Sequence, residues 1–205
     1  MGIGIAAAIG RLLFVSFPES DASQTFITVV LLVAAGITEG MVIGYIQWKS
    51  LSRLTSGFAP MLWMFVTTFA TLAGWLFILP PGIMFIAFLA KVSLISTHNS
   101  VLYTSLVGLT FGGLIGIAQF FIIRKYFRNA AVWIVSNSIG WMISFLIIYL
   151  SLLMFTTSYM QNIILVVVAC IASGLLQGIV TGTSFHFLMP ARRMDRYFSN
   201  VKKQF

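Results

Sequence analysis

Few side chains in this chain could do chemistry, and most lie in apolar surroundings. Glu39 is the one acidic residue inside a long apolar run. An ionisable group in hydrocarbon is expensive and is read first as functional: a titrating carboxyl or a contact for a polar solute. The competing and preferred reading is packing glue, a carboxyl that hydrogen-bonds a neighbouring helix. Gln47, Gln119 and Gln177 are the other polar intramembrane candidates. They either line a polar cavity or bond helix to helix, and the second role is preferred for Gln47 and Gln119 because both fall within a turn of a helix end. His186 is the one candidate to hold a cofactor, a pigment or haem, against the plainer reading of an interfacial hydrogen-bonded histidine; which cofactor, if any, the residues do not say.

Hydrolysis requires a nucleophile within reach of a base. Ser173 and His186 share one apolar run, but thirteen residues of straight helix separate them by about 20 Å. Cys170 stands alone, so there is no disulfide framework, and it reads as a small core residue. With two His, one Cys and one acidic residue in the apolar runs, no metal-ligand cluster is expected. Neither a phosphate loop nor paired carboxylates occur. The expectation is a protein that is not an enzyme.

The elements that carry these residues follow from composition. Across 205 residues the chain is 60% hydrophobic and 8% charged, with a mean hydropathy of +1.03. Such a chain is no water-soluble globule. Runs of about 20 apolar residues span a bilayer as helices. Five are present: Phe26 to Trp48, Phe58 to Leu79, Val101 to Ile123, Ala130 to Phe155 and Ile163 to Met189. Two shorter runs, Ile3 to Phe17 broken by Arg11 and Ile83 to Ile95 broken by Lys91, are interfacial, re-entrant or short spanning segments. The first lacks a positive leader and a small-residue cleavage site, so a removed signal peptide is not expected. The fold class is all-α, an integral membrane bundle of five to six transmembrane helices.

A net charge of +8 would suggest nucleic acid in a soluble protein, but here the basic residues mark helix ends and no nucleic acid is expected. Lys49 and Arg53 follow the first span, and Arg124, Lys125 and Arg128 follow the third. Arg192, Arg193, Arg196, Lys202 and Lys203 follow the fifth and read as an anchor to anionic lipid headgroups. With five crossings, these ten of twelve Lys and Arg residues share one side, which the positive-inside bias makes cytoplasmic. The C-terminus is then cytoplasmic too.

Glycine gives the chain its pattern. Gly36, Gly40 and Gly44, then Gly108, Gly112 and Gly116, then Gly174, Gly178 and Gly182 recur four apart, so each triplet bares one helix face. In lipid, bare faces let helix backbones approach closely, and all nine are assigned to helix packing. The triplets repeat at offsets of 72 and 66 residues. Gln47 and Gln119 fall in step, each followed by a basic turn and a helix with Trp63 or Trp133 and a Gly-Trp pair, Gly74-Trp75 or Gly140-Trp141. The predicted unit is a parallel-repeated helical hairpin. Within a single transmembrane domain over 1–205, residues 24–80 form hairpin repeat 1, 81–98 a short interfacial or re-entrant segment and 100–156 hairpin repeat 2. Residues 161–189 form a half repeat and 190–205 a basic tail. The third copy has Phe185 where Gln would stand. In the alignment Glu39 matches Phe111 and Gln177, which makes Gln177 a partner for Glu39 if the repeats surround one axis. Trp48, Trp63 and Trp133 read as interface anchors, and Trp75 and Trp141 as space-fillers beside the glycines.

The segments GITEGMVIGYIQWKSL and GLTFGGLIGIAQFFIIRKYFRNAAVWIVSNSIGW resemble a group of uncharacterised small bacterial multi-pass membrane proteins that repeat this unit, over about Gly36 to Met189. The resemblance implies a bacterial cytoplasmic membrane and hairpin repetition, and transfers no functional residue. Two functions remain. One is a non-catalytic accessory or scaffold subunit that packs in the lipid bilayer against other membrane protein subunits, lipid, or a small apolar ligand or pigment. The alternative is a transporter, or its substrate-binding membrane subunit, with Glu39, Gln47, Gln119 and Gln177 touching the solute. The first is the expectation, because few polar groups converge in the spans.

Overall fold

The computed structural model describes residues 22–54, 58–79, 97–154 and 159–188. Hydrocarbon offers no partners to backbone N–H and C=O groups, so apolar segments that cross it close their hydrogen bonds internally as helices. Five do so: α1 (Ala22–Leu51), α2 (Pro60–Phe77), α3 (Thr97–Ile123), α4 (Ala131–Leu153) and α5 (Tyr159–Thr183), the last extended by a 3₁₀ turn, Ser184–His186. All five are long and apolar enough to cross a membrane. The architecture is an all-α helical bundle, and no strand occurs among the described residues. The two short apolar runs, most of the 81–98 segment and the basic tail with Arg192, Arg193, Arg196, Lys202 and Lys203 lie outside the described residues.

Neighbouring helices run antiparallel. On α1 and α2, Gly36 meets Leu72 while Gly44 meets Met64. On α2 and α3, Gly74 meets Phe111, Thr67 meets Gln119, and Phe58 meets Tyr126. On α3 and α4, Gly108 meets Met142 and Gly116 meets Ile134. On α4 and α5, Ser144 meets Ser173, Gly140 meets Gln177, and Trp133 meets Phe185. The turns after α1 and α3 and the C-terminal end of α5 therefore gather at one end of the bundle. The Trp48 indole donates to the Phe58 carbonyl across the first turn, and the Asn129 amide donates to the Phe187 carbonyl. Lys49, Arg53, Arg124, Lys125 and Arg128 all belong to this end, with the Arg124 guanidinium over the Phe121 ring at 5.1 Å.

Two glycine stripes form the seams inside the hairpins. A Cβ on Gly40 would stand 2.5 Å from the Thr68 Cα, and one on Gly112 would overlap the Asn137 carbonyl. Backbone touches backbone there, which only glycine permits. The third stripe differs from its expected role. Gly174 and Gly178 are exposed, and a Cβ on Gly174, Gly178 or Gly182 would meet nothing within 4 Å. Among the described residues, these three glycines meet no other helix. In both covered seams the partner is the next helix in sequence.

The tryptophans also depart from expectation. Trp63 and Trp133 are fully buried against each other, 5.9 Å between ring centroids, in a cluster with Leu51, Phe58, Phe127 and Leu188 at the basic end. They are core residues, because the hairpin turns fold over them. The Trp75 ring fills space beside Gly36, whereas Trp141 meets Gly108 with its backbone carbonyl and Gly112 with its Cβ. The Gly-Trp pairs, however, are one helical turn out of step in the seams. Trp75 lies opposite Gly36 where Phe145 lies opposite Gly108, and Trp141 lies opposite Gly112 where Thr71 lies opposite Gly40. What the two glycines of those pairs share is a different job: Gly74 receives the Phe111 ring and Gly140 receives Gln177 of the following helix.

Candidate functional site

Two apolar clusters fill the bundle, with a polar belt between them. The cluster away from the basic end contains Ala70, Trp75, Phe111, Ile115, Trp141 and Phe145. Moving one turn toward the basic end from Ala70 on α2, Ile115 on α3 and Trp141 on α4 gives Thr67, Gln119 and Asn137. The next turn brings the basic-end cluster, with Trp63, Ile122 and Trp133. Helical periodicity of 3.6 keeps each of these series on one inward face.

Gln119 is the centre of the belt and is wholly buried. Its amide nitrogen donates to Gln47 Oε1 at 2.8 Å and to Thr67 Oγ1 at 2.7 Å, and its oxygen accepts from Trp133 Nε1 at 2.6 Å. Thr67 passes its own hydroxyl proton to the Trp63 carbonyl at 2.8 Å, one turn back on α2. One side chain thus ties α1, α2 and α4 to α3. Both amide hydrogens and the amide oxygen are used, which is what makes a buried amide tolerable in a dry interior. Gln47 is 8% exposed and Asn137 is buried, donating to the Trp133 carbonyl at 2.9 Å.

Glu39 occupies a second polar site in the α1/α2 seam. It is buried, and its Oε2 accepts from Trp75 Nε1 at 2.8 Å. The expected pairing with Gln177 is not what the fold provides, since Gln177 lies on α5 against Gly140 of α4. In the second hairpin the position equivalent to Glu39 is apolar: Phe111 packs against Trp141 and Phe145, with centroids 4.5 and 5.6 Å apart. Trp141 Nε1 is accordingly buried without a hydrogen-bond partner, as are Trp63 Nε1 and Asn137 Oδ1.

The remaining candidates do not converge. His186 is exposed on the 3₁₀ turn after α5. Ser173 is buried a span away, its hydroxyl donating to the Cys170 carbonyl at 3.0 Å. Cys170 is buried. Among the described residues, no three His, Cys, Asp or Glu side chains come together. Sequence reasoning missed Thr67, Trp133 and Asn137 as members of the belt. Their signal was present: each lies on the face of its helix that also carries the buried Trp75 or Trp141, at four-residue steps.

What this arrangement can do chemically is hold helices in register. Comparison with protein families, curated proteins and solved structures finds no match. The five apolar helices make this a membrane protein in contact with lipid.

Proposed function

We propose that the chain is a non-catalytic accessory or scaffold subunit of the bacterial cytoplasmic membrane, which packs its apolar outer faces against other membrane proteins, lipid or a small apolar ligand. The observation that carries this reading is the closed state of the polar belt. Gln47 and Gln119, the groups a solute would need, are bonded to each other and to Thr67 and Trp133 with no more than 8% exposure. Glu39 is likewise engaged with Trp75. A transported solute would have to break these bonds in a dry interior before making its own, which disfavours the transport alternative. The reading also takes the basic end as cytoplasmic, because Lys49, Arg53, Arg124, Lys125 and Arg128 sit together there. It takes the chain as two copies of one hairpin and a half copy, on the matched glycine seams.

Purification from the native membrane in mild detergent, followed by mass spectrometry, tests the assignment. The expected result is recovery of one or more membrane proteins in fixed ratio to this chain. A chain that runs alone and homogeneous would overturn the accessory role, and thermal stabilisation by members of a small polar solute library would favour transport instead.

A further inference from the structure

Charge does not balance at the basic end. Among the described residues Lys49, Arg53, Arg124, Lys125 and Arg128 are all exposed there. Glu39 is the one acidic residue among the described residues, and it lies ten positions before Lys49 on α1, about 15 Å deeper, in the seam with α2. The sequence holds three other acidic residues, and connectivity keeps two of them away. Glu19 and Asp21 immediately precede the start of α1, at the opposite end of a 30-residue helix. The third, Asp195, comes in the stretch after Leu188 that also brings Arg192, Arg193, Arg196, Lys202 and Lys203. By count, the acidic side chains of this chain cannot neutralise these cations, and counter-charge has to come from outside it.

The setting of one cation says what kind of anion suits it. The Arg124 backbone N–H still donates to the Phe120 carbonyl at 3.0 Å, so this residue extends α3 one step past an apolar stretch long enough to cross the membrane, Ser100–Ile123. Side chains on a helix lean toward its N-terminus, which on α3 is toward the bilayer interior. The Arg124 guanidinium accordingly lies back over the Phe121 ring at 5.1 Å and the Phe120 ring at 5.9 Å. Phe121 is 53% exposed and stands about 200° around α3 from the wholly buried Gln119, so the guanidinium is held on the outer side of the helix. Among the described residues it makes no hydrogen bond or ion pair. The rings attract the cation but accept none of its five N–H bonds. A phosphodiester of a membrane lipid is the anion found at this boundary of the hydrocarbon. A soluble polyanion would approach from the aqueous side of the turns, not along the rings.

We propose that Arg124 anchors a binding site for one anionic phospholipid. Its guanidinium takes the phosphate through paired N–H donors, which a planar fork supplies and an ammonium does not. Lys125 and Arg128, on the same turn, add attraction for the negative charge. An acyl chain lies along the outer face of α3, past Phe121 and Ile117, both exposed among the described residues. The site belongs to the second hairpin alone. Gln47 aligns with Gln119, so Ser52 stands where the first hairpin would need its arginine. The site is independent of the accessory role, since a lipid can occupy it whether or not a protein partner binds.

The test is native mass spectrometry of the full chain, released from dodecylmaltoside micelles after incubation with equal amounts of phosphatidylglycerol and phosphatidylcholine of matched acyl chains. The expected result is one retained phosphatidylglycerol, favoured over phosphatidylcholine by about tenfold, as one charge-assisted contact would give. Arg124→Gln should lose that preference, Arg124→Lys should restore only part of it, and Phe121→Leu should weaken it by about threefold through the lost ring. Lys49→Gln is the matched control. It removes one charge at the same end, from a face of α1 about 200° from Gln47 and so turned away from α3, and should keep the preference within about twofold. Circular dichroism should show wild-type helix content in all four variants, because each altered side chain is exposed among the described residues. Equal losses in Arg124→Gln and Lys49→Gln would mean a diffuse field and no site, and would overturn the proposal, as would an undiminished preference in Arg124→Gln. Displacement of the lipid by millimolar inorganic phosphate would overturn it in favour of free phosphate. A wild-type chain with no preference would overturn it and give the patch to a soluble polyanion.

Discussion

Replacing Gln119 by Leu asks how much of the bundle's cohesion runs through its polar belt. Inside a bilayer, apolar side chains gain little by leaving lipid for a neighbouring helix, so packing contacts and interhelical hydrogen bonds carry the association. Leu matches Gln in size and removes three bonds at once, those to Gln47, Thr67 and Trp133. At about 0.6 kcal/mol for each interhelical bond in a membrane protein, the direct loss is about 2 kcal/mol. The partners left behind, Trp133 Nε1 above all, are in a dry core, and an orphaned donor there raises the total toward about 4 kcal/mol. Gln47→Leu breaks the single bond to Gln119 and is expected to lose about 0.6 kcal/mol through it. Reversible unfolding in mixed dodecylmaltoside and dodecylsulfate micelles, followed by tryptophan fluorescence, measures both. Combining the two substitutions should cost less than their separate losses together, because they share one bond. If Gln119→Leu lies within about 0.5 kcal/mol of wild type, or equals Gln47→Leu, the belt does not organise the bundle and the reasoning fails.

Other outcomes follow from the same geometry. Gly112→Ala should destabilise by about 3 kcal/mol, because its Cβ meets the Asn137 backbone and the helices must part. Gly174→Ala should leave unfolding within about 0.5 kcal/mol of wild type, and equal effects at the two sites would contradict the assignment of covered and open stripes. Trp75→Phe removes the N–H that donates to Glu39 and also shrinks a buried ring, so the expected loss in the same micelle assay exceeds the about 0.6 to 1.7 kcal/mol of the hydrogen bond alone. Glu39→Gln retains an acceptor oxygen there and should lose less than Glu39→Leu; the reverse order would mean that the bond from Trp75 does not stabilise the seam. In intact cells, Arg53→Cys and Arg128→Cys chains should both resist a membrane-impermeant maleimide added outside and react after permeabilisation. Labelling of one but not the other would break the shared end.

Much of the architecture was legible in the residues. The five helices, the end at which basic side chains gather and the two closed glycine seams all follow from local properties: run length, charge position and a four-residue period that maps onto one helix face. The belt was half legible. Gln47 and Gln119 stood out as polar residues in apolar runs, but Thr67 and Asn137 looked like ordinary helix residues until the crossing of α2, α3 and α4 brought them to one level.

Periodicity tells which face of a helix is bare, and amino-acid type tells which side chain needs a partner. Neither tells what lies across from it, because that depends on how many helices precede and follow and on the register each turn imposes. So the same stripe is buried on α1 and α3, where a second helix returns within a few residues, while on α5 it meets no other helix among the described residues. Trp63 and Trp133, placed by sequence at the membrane surface, are sealed in the core because both hairpin turns and the end of α5 close over them. Glu39 found Trp75 rather than Gln177 because α1 folds against α2, while Gln177 rides on α4. Local spacing determined which surfaces this chain could join; the order of helices in space decided which of them met.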